Sequence, residues 1–193
     1  YIDAIKICEA QKEKVKENPS TLALIEYIQG NISFLQKDNV KAKEHFDLAI
    51  KTDPNILPPY VALASVYASE KNFEEALAQY KSIVEKNPEY TSGYMALGAI
   101  YDQMGDSVNA EAYYRKALET NPKFGPAANN LAWMLADKGN IDDALNLALI
   151  AKEELPKYSS VRDTLGWIYY LKGDYLNSIS ELQESLDLEP DNP

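Results

Sequence analysis

The chain has little of what most catalytic and metal sites are built from. Its 193 residues include one cysteine, Cys8, and one histidine, His45. A single cysteine excludes an intramolecular disulfide or a thiolate metal cluster, and it is compatible with both cytosol and periplasm. His45 has no histidine or cysteine at ligand spacing, and no phosphate-binding glycine loop is present. The sequence therefore predicts no catalytic, metal or cofactor site. We expect Cys8 to be buried and His45 to face solvent or a flank.

Basic residues are also scarce. The chain has 19 Lys and Arg against 30 Asp and Glu, a net charge of −11. Binding to nucleic acid needs cations that neutralise phosphates, so this partner class is excluded. The acidity favours a basic, neutral or sugar-like partner, or it serves only to keep a long surface soluble.

Long apolar runs are absent as well. No stretch approaches the ~20 residues that cross a bilayer, so we expect no membrane insertion. No signal peptide is visible and the chain starts at Tyr1 instead of methionine, so we expect a piece cut from a longer protein. The sequence leaves the compartment open between the cytoplasm and a bacterial periplasm or envelope.

What is present is a repeat of 34 residues. Prolines recur at this interval, at Pro54, Pro88, Pro122, Pro156 and Pro190. Small residues recur at the same interval, at Ala42, Ala76, Ala110, Ala144 and Ser178. Apolar residues between the prolines follow a helical spacing of i, i+3, i+4 and i+7. Each unit therefore reads as helix, short turn, helix, and a proline that ends the pair.

One unit shows which family these residues resemble. Leu97-Gly98, Tyr101, Ala110, Tyr114 and Pro122 follow the order and spacing of the tetratricopeptide repeat. The resemblance implies an all-α fold, a right-handed superhelical solenoid of stacked antiparallel helix pairs. It also implies that the first helix of each pair lines a concave groove.

The same register divides the chain into a leading half-repeat and five full repeats. Residues 1–19 are predicted as the second helix of a truncated repeat, running a few residues longer than its siblings. The full repeats are 23–56, 57–90, 91–124, 125–158 and 159–192. Gln29 and Ser33 stand where a leucine and an aromatic residue are usual, so the first helix of repeat 23–56 is expected to be shifted or less well packed. Both ends are expected to lack a covering repeat and to offer surfaces for self-association.

The helical period also predicts which side chains turn away from the core. These are the second, fifth, ninth, twelfth and thirteenth residues of a repeat. Trp133 and Trp167 both take the ninth place, in consecutive repeats. The predicted groove residues are Met95, Asp102, Asn129, Asn130, Trp133, Asp137, Asp163, Trp167 and Tyr170. Exposed aromatic rings beside amides and carboxylates can stack on a sugar, an apolar side chain or a cation. The alternative is that both tryptophans fill space between neighbouring first helices.

One known use of the repeat can be excluded from the residues. Chaperone-binding members of the family hold a C-terminal carboxylate with Lys, Asn and Arg in the groove. The corresponding places here hold Tyr27, Asn31, Ala62, Ser92 and Ala96. Because the cations are missing and the chain is acidic, no carboxylate clamp is expected.

Three functions stay open at this point. The first is a non-catalytic scaffold that binds a protein or peptide in its groove. The second is a bacterial envelope protein that binds or guides an exopolysaccharide or its export machinery, because Asn129–Trp133 and Asp163–Trp167 resemble segments of such repeat proteins. The third is that the chain is the targeting arm of a larger enzyme.

Overall fold

The computed structural model describes residues 1–189 of the chain. This range is helical outside its short connections, which confirms the predicted all-α class. The fifth periodic proline, Pro190, and the end of the predicted repeat 159–192 lie outside it. The helices are α1 (Ile2–Val15), α2 (Pro19–Leu35), α3 (Asn39–Thr52), α4 (Pro58–Ser69), α5 (Phe73–Lys86), α6 (Thr91–Gln103), α7 (Ser107–Thr120), α8 (Gly125–Asp137), α9 (Ile141–Glu154), α10 (Ser159–Lys172) and α11 (Tyr175–Leu188).

The second helix of each pair repeats without a slip. Helices α3, α5, α7, α9 and α11 each have 14 residues, and their first residues are 34 apart. The turn before each contains one residue with a left-handed backbone, at Lys37, Lys71, Gly105, Gly139 and Gly173. Glycine adopts this conformation at little cost, whereas a residue with a Cβ is strained there. The first two turns therefore carry strain that the last three avoid.

The chain forms two compact units, residues 1–88 and residues 89–193. In the first, α2 pairs with α3, α4 pairs with α5, and α1 lies against α2. Phe46, Leu63 and Val66 belong to an apolar cluster of buried residues in this unit. Gly30 faces the Phe46 ring so closely that a Cβ on this residue would overlap it. A glycine is therefore what lets the two helices of the pair approach.

The leading helix is not the long one, so that prediction is wrong. Helix α1 has the same 14 residues as its siblings, and α2 is instead extended to 17 residues. Asn18 Oδ1 accepts a hydrogen bond from the Thr21 N–H at 3.0 Å, and Pro19 occupies the first helical position. An asparagine cap followed by proline begins a helix as readily as it ends the one before. The predicted repeat 23–56 therefore begins inside α2.

The α2–α3 pair has a partly polar interior. Gln29 and Ser33 are both buried, and α2 remains helical through them. The Gln29 Nε2 group donates to Glu9 Oε1 of α1 at 2.5 Å. Gln29 Oε1 is buried and has no hydrogen-bond partner within the described chain. Burying an acceptor without a partner costs free energy. The glutamine at position 29, where a leucine is usual, therefore makes the packing of this helix pair less favourable.

A buried carboxylate joins the first three helices. Glu26 of α2 lies 2.7 Å from Lys12 Nζ of α1 and 2.8 Å from His45 Nδ1 of α3. His45 is thus half-buried against Glu26, where the sequence predicted solvent or a flank. Cys8 of α1 is buried as predicted, and this burial raises the pKa of its thiol.

The second unit contains three helix pairs, α6–α7, α8–α9 and α10–α11. Its apolar cluster includes Tyr114, Leu131, Leu165 and Ile168. A Cβ on Gly98 would lie 2.5 Å from Tyr114 Cδ1, the same close approach as in the first unit. This core holds α8 and α10 against one another, and both helices carry the candidate site.

Candidate partner-binding face

Helices α8 and α10 each present one tryptophan to solvent. Leu131 and Leu135 of α8 and Leu165 and Ile168 of α10 are buried, so the helical period turns Trp133 and Trp167 away from the core. Trp133 is 51% exposed and Trp167 is 41% exposed. About half of each indole is therefore available for contact.

The two tryptophans belong to a row of four aromatic rings. The ring centroids of Trp133 and Trp167 are 6.4 Å apart, and those of Trp167 and Tyr170 are 5.5 Å apart in a nearly parallel stack. Tyr170 in turn lies 5.8 Å from Tyr175. All four side chains are exposed. We call Trp133, Trp167, Tyr170 and Tyr175 the aromatic ladder.

Tyr175 was missed by the sequence analysis. It is the first residue of α11, a second helix, and the predicted groove included first helices only. The signal was the Gly173-Asp174 turn, in which Gly173 has a φ of 83°. A turn this tight brings the start of α11 beside the end of α10, five positions after Tyr170.

A polar group lies one helical turn before Trp133. Asn129 Nδ2 donates to Asn130 Oδ1 at 3.4 Å, and Asn130 Nδ2 donates to the Tyr114 hydroxyl at 3.2 Å. Burial raises the pKa of Tyr114, and the hydrogen bond from Asn130 opposes this only in part. Asn129 Oδ1 is buried and lacks a partner among the residues described. This oxygen therefore retains an unused capacity to accept a hydrogen bond.

A small cleft adjoins this amide group. It has a volume of about 200 Å³ and lies between α8 and the start of α10. Its lining residues are Pro126, Asn129, Asn130, Leu155, Tyr158, Ser160 and Val161. The cleft is large enough for one side chain or a short piece of peptide backbone.

The other predicted groove residues differ in exposure. Asp102 and Asp137 are exposed, Asp163 is partly buried, and Met95 is half-buried against the core cluster. Ala136, at a twelfth position predicted to turn outward, is buried. The prediction is wrong there because α10 packs against α8 and a methyl group is too short to reach past it.

The helices that carry the ladder have few cations. Helices α8 and α11 contain no lysine or arginine. Arg162 of α10 is 2.6 Å from Glu181 Oε2, and Lys172 at the end of α10 is 2.5 Å from Asp142 Oδ1. The charge beside the ladder is therefore acidic, from Asp137 and Asp163.

Residues 1–189 contain neither a cluster of metal-binding side chains nor a membrane-spanning helix. No group of three or more His, Cys, Asp or Glu side chains there is arranged to hold a metal ion. No helix in the same range combines the length and apolar character needed to cross a membrane.

Solved structures with a similar fold are known. PilF of Pseudomonas aeruginosa superposes with a TM-score of 0.83 at 16% identity, over 98% of this chain and 86% of that one. YrrB, described as a tetratricopeptide repeat protein with an unusual peptide-binding site, gives a TM-score of 0.70 at 21% identity, over 96% and 95% of the two chains. MamA gives 0.71 at 18% identity, over 87% and 92%. At these identities the likeness concerns the fold alone.

Sequence comparison gives the family. A segment of 63 residues is 40% identical to stress-induced-phosphoprotein 1 of Caenorhabditis elegans, and it spans 33% of this chain but only 20% of that protein. Sequence models of the tetratricopeptide repeat match residues 57–90, 92–124, 113–146 and 160–192. Together these matches cover more than half of the chain. The chain therefore belongs to the tetratricopeptide repeat family.

Proposed function

We propose that this protein is a non-catalytic scaffold that docks a partner protein, through one of its peptide segments, on the face formed by α8, α10 and the start of α11. Proteins of this family and fold are interaction scaffolds, in which stacked helix pairs form extended binding surfaces. The observation that carries the proposal is the aromatic ladder, four neighbouring rings that are all exposed.

Exposure of this kind favours binding over a purely structural role. Tryptophan and tyrosine rings contribute large contact areas when they are buried, and they are enriched among residues that dominate interface energies. A ring that only filled space between helices would be buried, whereas Trp133 and Trp167 each retain about half of their surface. The contacts between the rings instead leave a continuous aromatic surface across three helices.

The face is also built in advance of binding. Arg162 of α10 and Lys152 of α9 both lie 2.6 Å from the buried Glu181 of α11. This buried ion pair network links the helices that carry Trp167, Tyr170 and Tyr175. A preformed surface loses little conformational freedom when a partner binds, which preserves affinity.

The exopolysaccharide alternative and self-association are less favoured. An exopolysaccharide role gains no support from the similar proteins, and neither does self-association through the repeat ends. We do not propose either.

The experiment removes the two indoles and asks whether binding or folding is lost. The variant Trp133→Ala/Trp167→Ala should lose at least ~10-fold in affinity for partners that the wild type captures from lysate, because aromatic anchors typically carry such losses. Its helical circular dichroism should stay nearly unchanged. A matched control is Val108→Ala/Leu149→Ala, which removes exposed apolar side chains from the second helices α7 and α9.

Three outcomes would contradict the proposal. If the tryptophan variant loses its helical signal or unfolds at a lower temperature, the indoles are structural. If the control loses the same partners, the effect is not specific to this face. If a glycan array binds the wild type while no protein is captured reproducibly, a polysaccharide role replaces the one proposed.

A further inference from the structure

We propose that the segment docked on the ladder is basic, with an arginine or lysine side chain stacked on the exposed rings and close to the carboxylates of α8 and α10. This inference rests on the proposed function and specifies the chemistry of the partner. It follows from where the chain places its charges and from which aromatic rings it leaves uncovered.

The charge of the chain is concentrated in the unit that carries the ladder. Residues 1–88 contain 11 basic and 13 acidic residues, a net charge of −2. Residues 89–193 contain 8 basic and 17 acidic residues, a net charge of −9. A field of one sign around a recognition surface attracts partners of the opposite sign and repels those of the same sign.

The carboxylates stand at helical spacing from the indoles. Asp137 follows Trp133 by four residues in α8, and Asp163 precedes Trp167 by four residues in α10. Residues four apart lie on the same side of a helix. An arginine stacked on the ladder would therefore have the exposed carboxylate of Asp137 within reach.

The protein already uses the same contact inside its first unit. There Lys86 Nζ lies 4.5 Å from the centroid of the Tyr60 ring, and Lys43 Nζ lies 5.3 Å from that of Tyr67. No lysine or arginine of residues 1–189 is placed in this way over a ladder ring. Cations are attracted to the faces of Trp and Tyr, and on the ladder the faces that do not stack on a neighbouring ring remain available.

A neutral partner would use less of this surface. A proline-rich segment can pack on exposed aromatic rings, but it would leave Asp137 without a counter-charge. An acidic segment would be repelled. A basic segment brings a cation to the rings and a counter-charge to Asp137 together, so it is the occupant that the face fits best.

The test compares two synthetic peptides that differ only in charge. One is rich in arginine and the other carries citrulline, a neutral residue of the same shape, at each arginine position. Binding is followed by isothermal titration calorimetry, which also serves the variant that lacks both tryptophans of the chain, Trp133 and Trp167. We expect the arginine peptide to bind at least ~10-fold more tightly, and to weaken as salt rises from ~50 to ~300 mM because screening reduces the attraction.

Two variants that each remove one negative charge test where on the protein the arginine peptide binds. Asp137→Asn should weaken the arginine peptide by about 2–5-fold and leave the citrulline peptide unchanged. The matched control is Glu119→Gln, which removes one charge from an exposed residue of α7 in the same unit. It should change neither peptide's affinity. Trp133→Ala/Trp167→Ala should abolish binding of the arginine peptide.

The failures of the two proposals can be told apart. If the citrulline peptide or a proline-rich peptide binds as tightly as the arginine peptide, and this binding needs the tryptophans, the face binds peptides but the partner is not basic. The same conclusion follows if neither peptide binds while lysate partners still depend on the tryptophans. If glucosamine oligomers bind and basic peptides do not, the cationic ligand is a sugar and not a peptide, and the inference is overturned. If no partner of any kind depends on the tryptophans, the proposed function fails as well.

Discussion

Residues 1–88 bury a carboxylate and an amide on a first helix, α2, whereas residues 89–193 expose aromatic side chains on their first helices α8 and α10. In the first unit Glu26 and Gln29 lie inside the α2–α3 pair, and lysines cover the rings of Tyr60 and Tyr67. In the second unit Lys116 lies over the rings of Tyr94 and Tyr113, but both tryptophans are exposed and no lysine or arginine of residues 1–189 lies over them. The helix pairs repeat at the same interval in both. The periodic alanines and prolines therefore maintain the scaffold, and the residues on the outward face of the first helices distinguish one region from another.

The largest expected effect comes from the buried ion pair network of the second unit. Glu181→Gln should lower the free energy of unfolding by about 2–3 kcal/mol at pH 7, somewhat less than for a fully buried pair because Lys152 is partly exposed. Burial alone would raise the pKa of Glu181, but hydrogen bonds from Lys152 and Arg162 outweigh it and hold this pKa below its usual value.

The direction of this shift fixes the pH dependence. A carboxyl group whose pKa is lowered in the folded state stabilises the protein above its ordinary value, about 4.3 for glutamate, and loses that contribution as the pH falls further. The wild type should lose its advantage over Glu181→Gln in urea titrations on going from pH 7 towards pH 3. An advantage that persists at pH 3 would show that the carboxylate charge does not stabilise the unit.

The next effect tests whether paired helices pack equally closely in each of the two units. Ala76→Leu in the first unit and Ala110→Leu in the second should each cost about 1–3 kcal/mol, because both alanines are fully buried between paired helices. Ala112→Leu makes the same change at an exposed position of α7 and should cost little. An unchanged urea midpoint for either buried variant would mean that the alanine does not lie at a close helix contact.

The smallest effect lies in the turns. Lys71 and Gly105 occupy equivalent left-handed positions, with φ values of 61° and 77°. Lys71→Gly should therefore stabilise the first unit, and Gly105→Lys should destabilise the second, each by about 1 kcal/mol. Labelling of the buried Cys8 thiol follows the first unit, and tryptophan emission follows the second. If the free energy of unfolding changes in the same direction in both variants, backbone strain is ruled out as the cause.

Much of the fold can be predicted from the sequence because the residues that determine the helix contacts recur in each repeat. Gly98 is small because the Tyr114 ring lies against it, and the same pairing recurs at Gly30 and Phe46. The position of Trp133 and Trp167 at an exposed place also follows from helical spacing. These features are local, and the period of 34 residues repeats them.

The features that could not be predicted depend on contacts outside one helix. The extra turn of α2 arises because Asn18-Pro19 begins a helix, and the same dipeptide ends helices elsewhere in the chain. The burial of Ala136 depends on α10, and the place of Tyr175 in the ladder depends on the Gly173 turn. The unpartnered oxygen of Asn129 follows from the geometry of the amide group, which residue spacing does not encode.

The central claim is that partners dock on the ladder of the second unit. A photo-cross-linking residue, p-benzoylphenylalanine, can replace Leu171 beside the ladder or Ser69 at the same position of a repeat in the first unit; both side chains are exposed. The claim predicts a covalent adduct with the captured partner from position 171 and none from position 69. An adduct formed at position 69, with none at position 171, would contradict it.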